Sequence, residues 1–157
     1  MSDTDRDRAD AATLPEDDVV AVVLRQHAMI RDLMTKVSNL AGQARLQAFT
    51  ELSGLLKAHE RAEQEILRPV GVDAEGKRSA KARTKEEHAA DEALLHLDGL
   101  DVDGAEFRDR FDTFRIMVEE HADAEEKQEL APLLEAVAPE ERIRLGQAFL
   151  GAVGARH

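Results

Sequence analysis

The sequence predicts an all-α protein, an up-down-up-down four-helix bundle, on three observations. Four segments carry apolar residues at alternating intervals of three and four, which is one helix face repeated four times. Stretches containing Gly and Pro, short enough for antiparallel neighbours, separate these segments. No segment reads as a convincing strand.

Each element follows in order. Residues 1 to about 14 are polar and aperiodic and are expected to form a disordered tail, leaving 15–157 as one folded domain. From Glu16, the positions Val20, Val23, His27, Ile30, Met34, Val37 and Ala41 form the first stripe, and Gly42 ends it or marks a tight turn. The second stripe reads Phe49, Leu52, Leu56, His59, Glu63 and Ile66, closed by Pro69 with Gly71. A loop around GVDAEGKRSA leads to a third, weaker helix over roughly Lys81 to Leu97, and LDGLDVDG is the turn after it. The fourth stripe reads Phe107, Phe111, Phe114, Val118, His121 and Glu125 and breaks near Pro132. Pro139 with Glu140 and Glu141 suits a helix first turn, and Ile143, Leu145, Phe149 and Leu150 suggest a short fifth helix covering one end of the bundle.

Composition narrows the function. A formal net charge of −12 argues against nucleic acid and anionic membranes as partners, because both are negative. The absence of cysteine excludes disulfides, iron–sulfur ligation and thiolate zinc sites. No stretch approaches the roughly 20 apolar residues that span a bilayer, so a soluble cytoplasmic protein is expected. Oligomeric state is not legible.

The chemistry lies in the stripes. His59 and His121 are each followed four residues later by a glutamate, so one helix face presents an imidazole and a carboxylate together. His27 and His88 stand singly on the other two helices. One histidine on an apolar face is ordinarily a satisfied core residue. Two carboxylates on core seams are different: unpaired, each costs several kcal/mol or takes up a proton. Their common offset from two histidines points to compensation by a cation. Imidazole and carboxylate without sulfur suit iron or manganese, with zinc as a further candidate, and two ions bridged by Glu63 and Glu125 use every ligand. His59-Glu60 begins like a zinc-protease motif, but Glu63 occupies the place of its second histidine. No histidine has the glutamate three residues earlier that ferritin-like sites use. His96, about 12 Å along the helix from His88, is too distant to share the site, and His157 is terminal. With no Tyr or Trp, the chain cannot store a tyrosyl radical.

The order of a lone His, H-x-x-x-E, a lone His and H-x-x-x-E, carried by His27, His59 with Glu63, His88, and His121 with Glu125, resembles the hemerythrin-like, or HHE cation-binding, family. The phrases HERAEQEILRP and EEHADAEEKQELAP resemble its second and fourth helices. The resemblance implies a non-haem di-iron centre inside a four-helix bundle, with histidines as terminal ligands, carboxylate bridges from Glu63 and Glu125, and an oxo or hydroxo bridge. The oxygen-carrying members have a second histidine four residues along the third helix, where this chain has Glu92. Glu92, Glu60 or solvent stands in that place. Glu126 rivals Glu125, since the carriers' fourth-helix spacing is five and His-to-Pro is ten residues on one helix and eleven on the other. The seam spacing favours Glu125.

Three classes of function follow from the resemblance. The centre binds O2, NO or H2O2 in oxidative or nitrosative defence; or it dismutates peroxide in a catalase-like reaction; or it stores iron or repairs iron centres. The first is preferred.

Overall fold

The computed structural model describes residues 2–70 and 77–156, and among these it is helical with no strand. Helix α1 spans Asp3–Ala11, α2 Val19–Asn39, α3 Gly42–Ala62, α4 Lys77–Asp98, α5 Ala105–Glu125, α6 Ala131–Ala136 and α7 Pro139–Arg156. Helix α3 runs on through a π turn, Glu63–Leu67, and α5 runs into α6 through another, Glu126–Leu130. Contacts link α2 to α3, α3 to α4, α4 to α5 and α5 back to α2, which closes the expected four-helix bundle. Its core contains Met34, Leu52, Leu67 and Leu94 with four of the phenylalanines, Phe107, Phe111, Phe114 and Phe149, all essentially without solvent contact. Phe49 stands edge-on to Phe107 at 5.3 Å between ring centres. No helix among the described residues is long and apolar enough to cross a membrane.

Local chemistry sets the boundaries. Asp18 caps α2 by accepting the Val20 N–H at 2.9 Å. Between α2 and α3 the chain turns through Gly42 at φ 59°, a conformation that side chains disfavour. The Gly42 N–H donates to Asp103 Oδ1 at 2.8 Å and Arg45 to the Val102 carbonyl at 2.8 Å, tying this turn to the α4–α5 turn.

Four sequence expectations change. The tail expected over residues 1–14 is helical over Asp3–Ala11, because Asp7 and Ala11 are buried against α2 and Asp7 pairs with the equally buried Arg31. A polar, aperiodic segment hid one ion pair that anchors it. The third helix starts at Lys77, inside the stretch read as loop; residues 71–76 of that loop, including Gly71, lie outside the described residues. Pro69 and Pro132 do not break the second and fourth helices: residues 68–70 and 131–136 remain helical because the π turn directly before each stretch loosens the hydrogen-bond ladder that a proline would otherwise break. The fifth helix is long rather than short, at 18 residues. It packs on α2, α3 and the first π turn, with Phe149 buried and Leu150 exposed. Arg142 Nε donates to Asp18 Oδ2 at 2.8 Å, fastening α7 to the start of α2.

Candidate metal centre

Three imidazoles enter the bundle core with one nitrogen already committed. His27 Nδ1 lies 2.6 Å from Glu126 Oε2, His59 Nδ1 2.6 Å from Gln26 Oε1, and His121 Nδ1 2.7 Å from Glu86 Oε1. Those oxygens only accept, so the network assigns the proton to Nδ1 in each ring and turns Nε2 inward. The inward nitrogens meet carboxylate oxygens: His27 Nε2 is 3.0 Å from Glu125 Oε1, His59 Nε2 3.1 Å from Glu63 Oε1, and His121 Nε2 3.2 Å from Glu87 Oε2. Acceptors therefore face acceptors. The buried Nε2 atoms of His59 and His121, and both oxygens of Glu63 and of Glu125, have no hydrogen bond of their own. Such a set is unfavourable unless positive charge sits among it.

Protons alone compensate it unevenly. Burial opposes a charge on His27, but the carboxylates of Glu125 and Glu126 beside its two nitrogens outweigh burial and raise its pKa to about 10. His121 is likewise pushed against burial, by Glu86 and Glu87, to about 11. Burial and then the charge of His27 lower His59 to about 3. Burial raises Glu63 to about 6, and burial with the neighbouring Glu63 charge raises Glu125 to about 7.

The same atoms form two four-ligand groups. His27, His59, Glu63 and Glu125 make one, and Glu63, Glu87, His121 and Glu125 make the other, with the ligand atoms of each group within 4.8 Å of one another. Glu63 and Glu125 belong to both. Glu125 shows how: Oε1 faces His27, and Oε2 lies 3.6 Å from His121 Nε2 on the other side. A nitrogen and oxygen donor set, in which the Glu63 and Glu125 oxygens and the Nε2 atoms of His59 and His121 lack hydrogen bonds, fits the binding of cations.

Of the six residues that the sequence placed at the site, His27, His59, Glu63, His121 and Glu125 are brought together. His88 is not. It is exposed, beside Lys57, Arg61 and Gln64 at a surface pocket, and Glu87 takes the inward place. The reason is register. Helix α4 buries Ala80, Arg83, Glu87, Ala90, Leu94 and Leu97, an unbroken three-four rhythm, and His88 is about 100° off that line. That rhythm was present in the sequence and is the signal that identifies Glu87. Glu92 is exposed and stands away from the site. Glu126 lies behind His27 and orients it. Glu60 is buried beside the cluster, hydrogen-bonded to Asp91, with burial holding its pKa well above the usual carboxylate range. His96 is exposed, and His157 lies outside the described residues.

Sequence reasoning also missed the groups behind the ligands. Arg31 is buried and contacts Asp7, Asp123 at 3.1 Å and Glu126 at 3.5 Å, so α1 contributes to the setting of His27. Arg68, 6% exposed, is held by Glu87 and Glu129. No periodicity flags a buried arginine, which reads as surface in any helix. Beside the cluster lies a cavity of ≈ 10 Å³ open to the centre of a water molecule, lined by Ile30, Met34, Leu56, Glu60 and Val118 among others. That is about the room of one water.

No curated protein and no solved structure matches the chain. The family model that matches is the Hemerythrin HHE cation binding domain, over residues 18–134. This span runs from the cap of α2 into α6 and contains every ligand candidate of both groups. The chain belongs to the hemerythrin HHE cation-binding family.

Proposed function

We propose that this protein holds two iron ions between His27, His59, Glu63, Glu87, His121 and Glu125, and binds a small oxygen or nitrogen species there (O2, NO or H2O2) in cytoplasmic defence against oxidative or nitrosative stress. One observation carries the reading: two four-ligand groups that share both Glu63 and Glu125. A bound iron pair supplies redox capacity and open coordination positions. The protein's own contribution is selection by size and polarity. Ile30, Met34, Leu56 and Val118 wall a cavity with about the room of one water, which favours the smallest ligands.

A catalase-like activity has one observation in its favour. Peroxide turnover requires a group that gives and takes a proton beside the reacting molecule. Glu60 lines the cavity and is buried, and burial and then Asp91 raise its pKa well above the usual carboxylate range.

Elemental analysis of the purified protein tests the centre and is expected to return about two irons per chain; one zinc per chain would overturn it. Mixing the iron-loaded protein separately with O2, NO and H2O2, while following the near-UV and visible charge-transfer bands, identifies the ligand. Oxygen release from peroxide that is lost in Glu60→Gln selects the enzyme reading.

A further inference from the structure

The two ligand groups are not equivalent, and the difference is an arginine. Arg68 Nη2 lies 2.7 Å from Glu87 Oε2 and 3.7 Å from Glu125 Oε2, and Nη1 lies 3.1 Å from Glu87 Oε1. Both Oε2 atoms face His121, at 3.2 and 3.6 Å from its Nε2. Glu125 Oε1, the oxygen that faces His27, and the inward nitrogens of His27 and His59 make no such contact with it. The first π turn explains how an arginine arrives here. The Arg68 N–H bonds to the Glu63 carbonyl five residues back, which stacks Arg68 above Glu63 instead of turning it away. The guanidinium cannot swing aside, because Nη1 also donates to Thr84 Oγ1 at 2.7 Å and Nε lies 3.0 Å from Glu129 Oε1. Nor can it lose its charge.

We propose that Arg68 makes the two metal positions unequal, so that the position of His27, His59, Glu63 and Glu125 fills first and the position of Glu63, Glu87, His121 and Glu125 holds its ion more weakly. The inference rests on the metal-centre reading above. Two effects act in the same direction. A fixed positive charge a few ångströms from the second ion repels it with little screening in a buried site. The hydrogen bonds from Nη1 and Nη2 also occupy lone pairs of Glu87 and weaken it as a donor. At the first position, with two histidines, Arg68 approaches only Glu125, through the oxygen that faces His121 rather than His27, so both effects are weaker there.

Titration of the metal-stripped full chain with Co(II), followed by calorimetry and visible absorption, tests this. The wild-type chain should bind in two steps separated by about tenfold or more in affinity. Glu87→Gln should remove the weaker step and leave the tighter one in place. Arg68→Gln should tighten the second step towards the first, whereas Arg68→Lys, which keeps the charge, should preserve the gap. One ion in the wild type with a second appearing only in Arg68→Gln supports the same conclusion. Equal steps in the wild type, a gap unchanged in Arg68→Gln, one ion in both chains, or loss of the tighter step in Glu87→Gln each overturn it while leaving the metal centre standing. Should Arg68→Gln not fold, the wild-type and Glu87→Gln isotherms decide alone. A wild-type chain that binds no Co(II) defeats the metal-centre reading itself, and the Arg68 inference with it.

Discussion

A histidine becomes a metal ligand when something else fixes its second nitrogen, and here Gln26, Glu86 and Glu126 do this for three rings from behind. Two predictions belong to this scale. The first separates Glu87 from His88. Glu87→Ala should cost one of two metals, since Glu87 serves one group only, whereas His88→Ala should keep both; Glu63→Ala, removing a shared ligand, should lose both, and Glu60→Ala at most one. Metal content after desalting checks each variant, and loss of metal in His88→Ala with retention in Glu87→Ala would return the third-helix ligand to His88. The second prediction is proton release. At pH 8, with pKa values of about 10 and 11, His27 and His121 carry protons that a metal must displace, while His59, at about 3, carries none. Metal uptake should therefore release about two protons per chain. Calorimetry in buffers of different ionisation enthalpy measures the number, and a value near zero would contradict the geometry. The sequence made Glu63 and Glu125 legible because carboxylates on apolar seams stand out. Glu87 lay on an equally regular seam, but the seam's other members were Ala and Arg, and the neighbouring histidine drew the assignment.

Among elements, the two π turns do what sequence periodicity could not show. Both end two residues before a proline, at Leu67 before Pro69 and at Leu130 before Pro132. They start differently: Glu63 opens the first, while Glu125 lies just ahead of the second and Glu126 opens it. The ten-against-eleven spacing thus resolves into one carboxylate facing the centre and the next supporting His27. An α-helical template has no place for the extra residue, so it predicted that the prolines break the helices. The same limit hid α1, which is held by Asp7 rather than by an apolar stripe. Asp7→Ala should destabilise the fold by about 2 kcal/mol, because Arg31 loses one buried partner but keeps Asp123 and Glu126. Gly146→Ala should cost about 1–3 kcal/mol, since an added Cβ would stand 1.8 Å from the Asp17 carbonyl oxygen, where α7 crosses the entry to α2. Urea denaturation of both variants reads these changes, and wild-type midpoints would show that neither contact holds its helix.

At the scale of the whole molecule, the bundle folds around charges that destabilise it, and the cost depends on pH in a direction the shifts determine. Glu63 and Glu125, raised from 4.5 to about 6 and 7, contribute stability that is complete below 4.5 and lost as pH rises through 6 to 7. His27 and His121, raised from 6.5, contribute stability complete below 6.5 and lost as pH climbs towards 10 and 11. Among the histidines His59 runs the other way: lowered to about 3, its contribution is present above 6.5 and lost as pH falls. Between pH 5 and 8 the raised groups, with Asp7 at about 7 among them, outweigh His59 and make the metal-stripped protein less stable at pH 8 than at pH 5. Metal reverses the trend, because protons and metal compete for the same nitrogens and oxygens, and binding to the folded state stabilises it by about 4 kcal/mol when free metal is a thousandfold above Kd. The rise in melting temperature on loading should therefore widen from pH 5 to pH 8. The stripped protein should still be helical, since Leu52, Phe111, Phe114 and their neighbours pack without the ligands, yet it should be cleaved faster by protease at pH 8 than the loaded form. Thermal melts of chelated and loaded samples across that range, read by circular dichroism, measure the gap directly. Melts that overlay at every pH would mean that these histidines and glutamates are stabilised by protons alone, and the metal reading would fall.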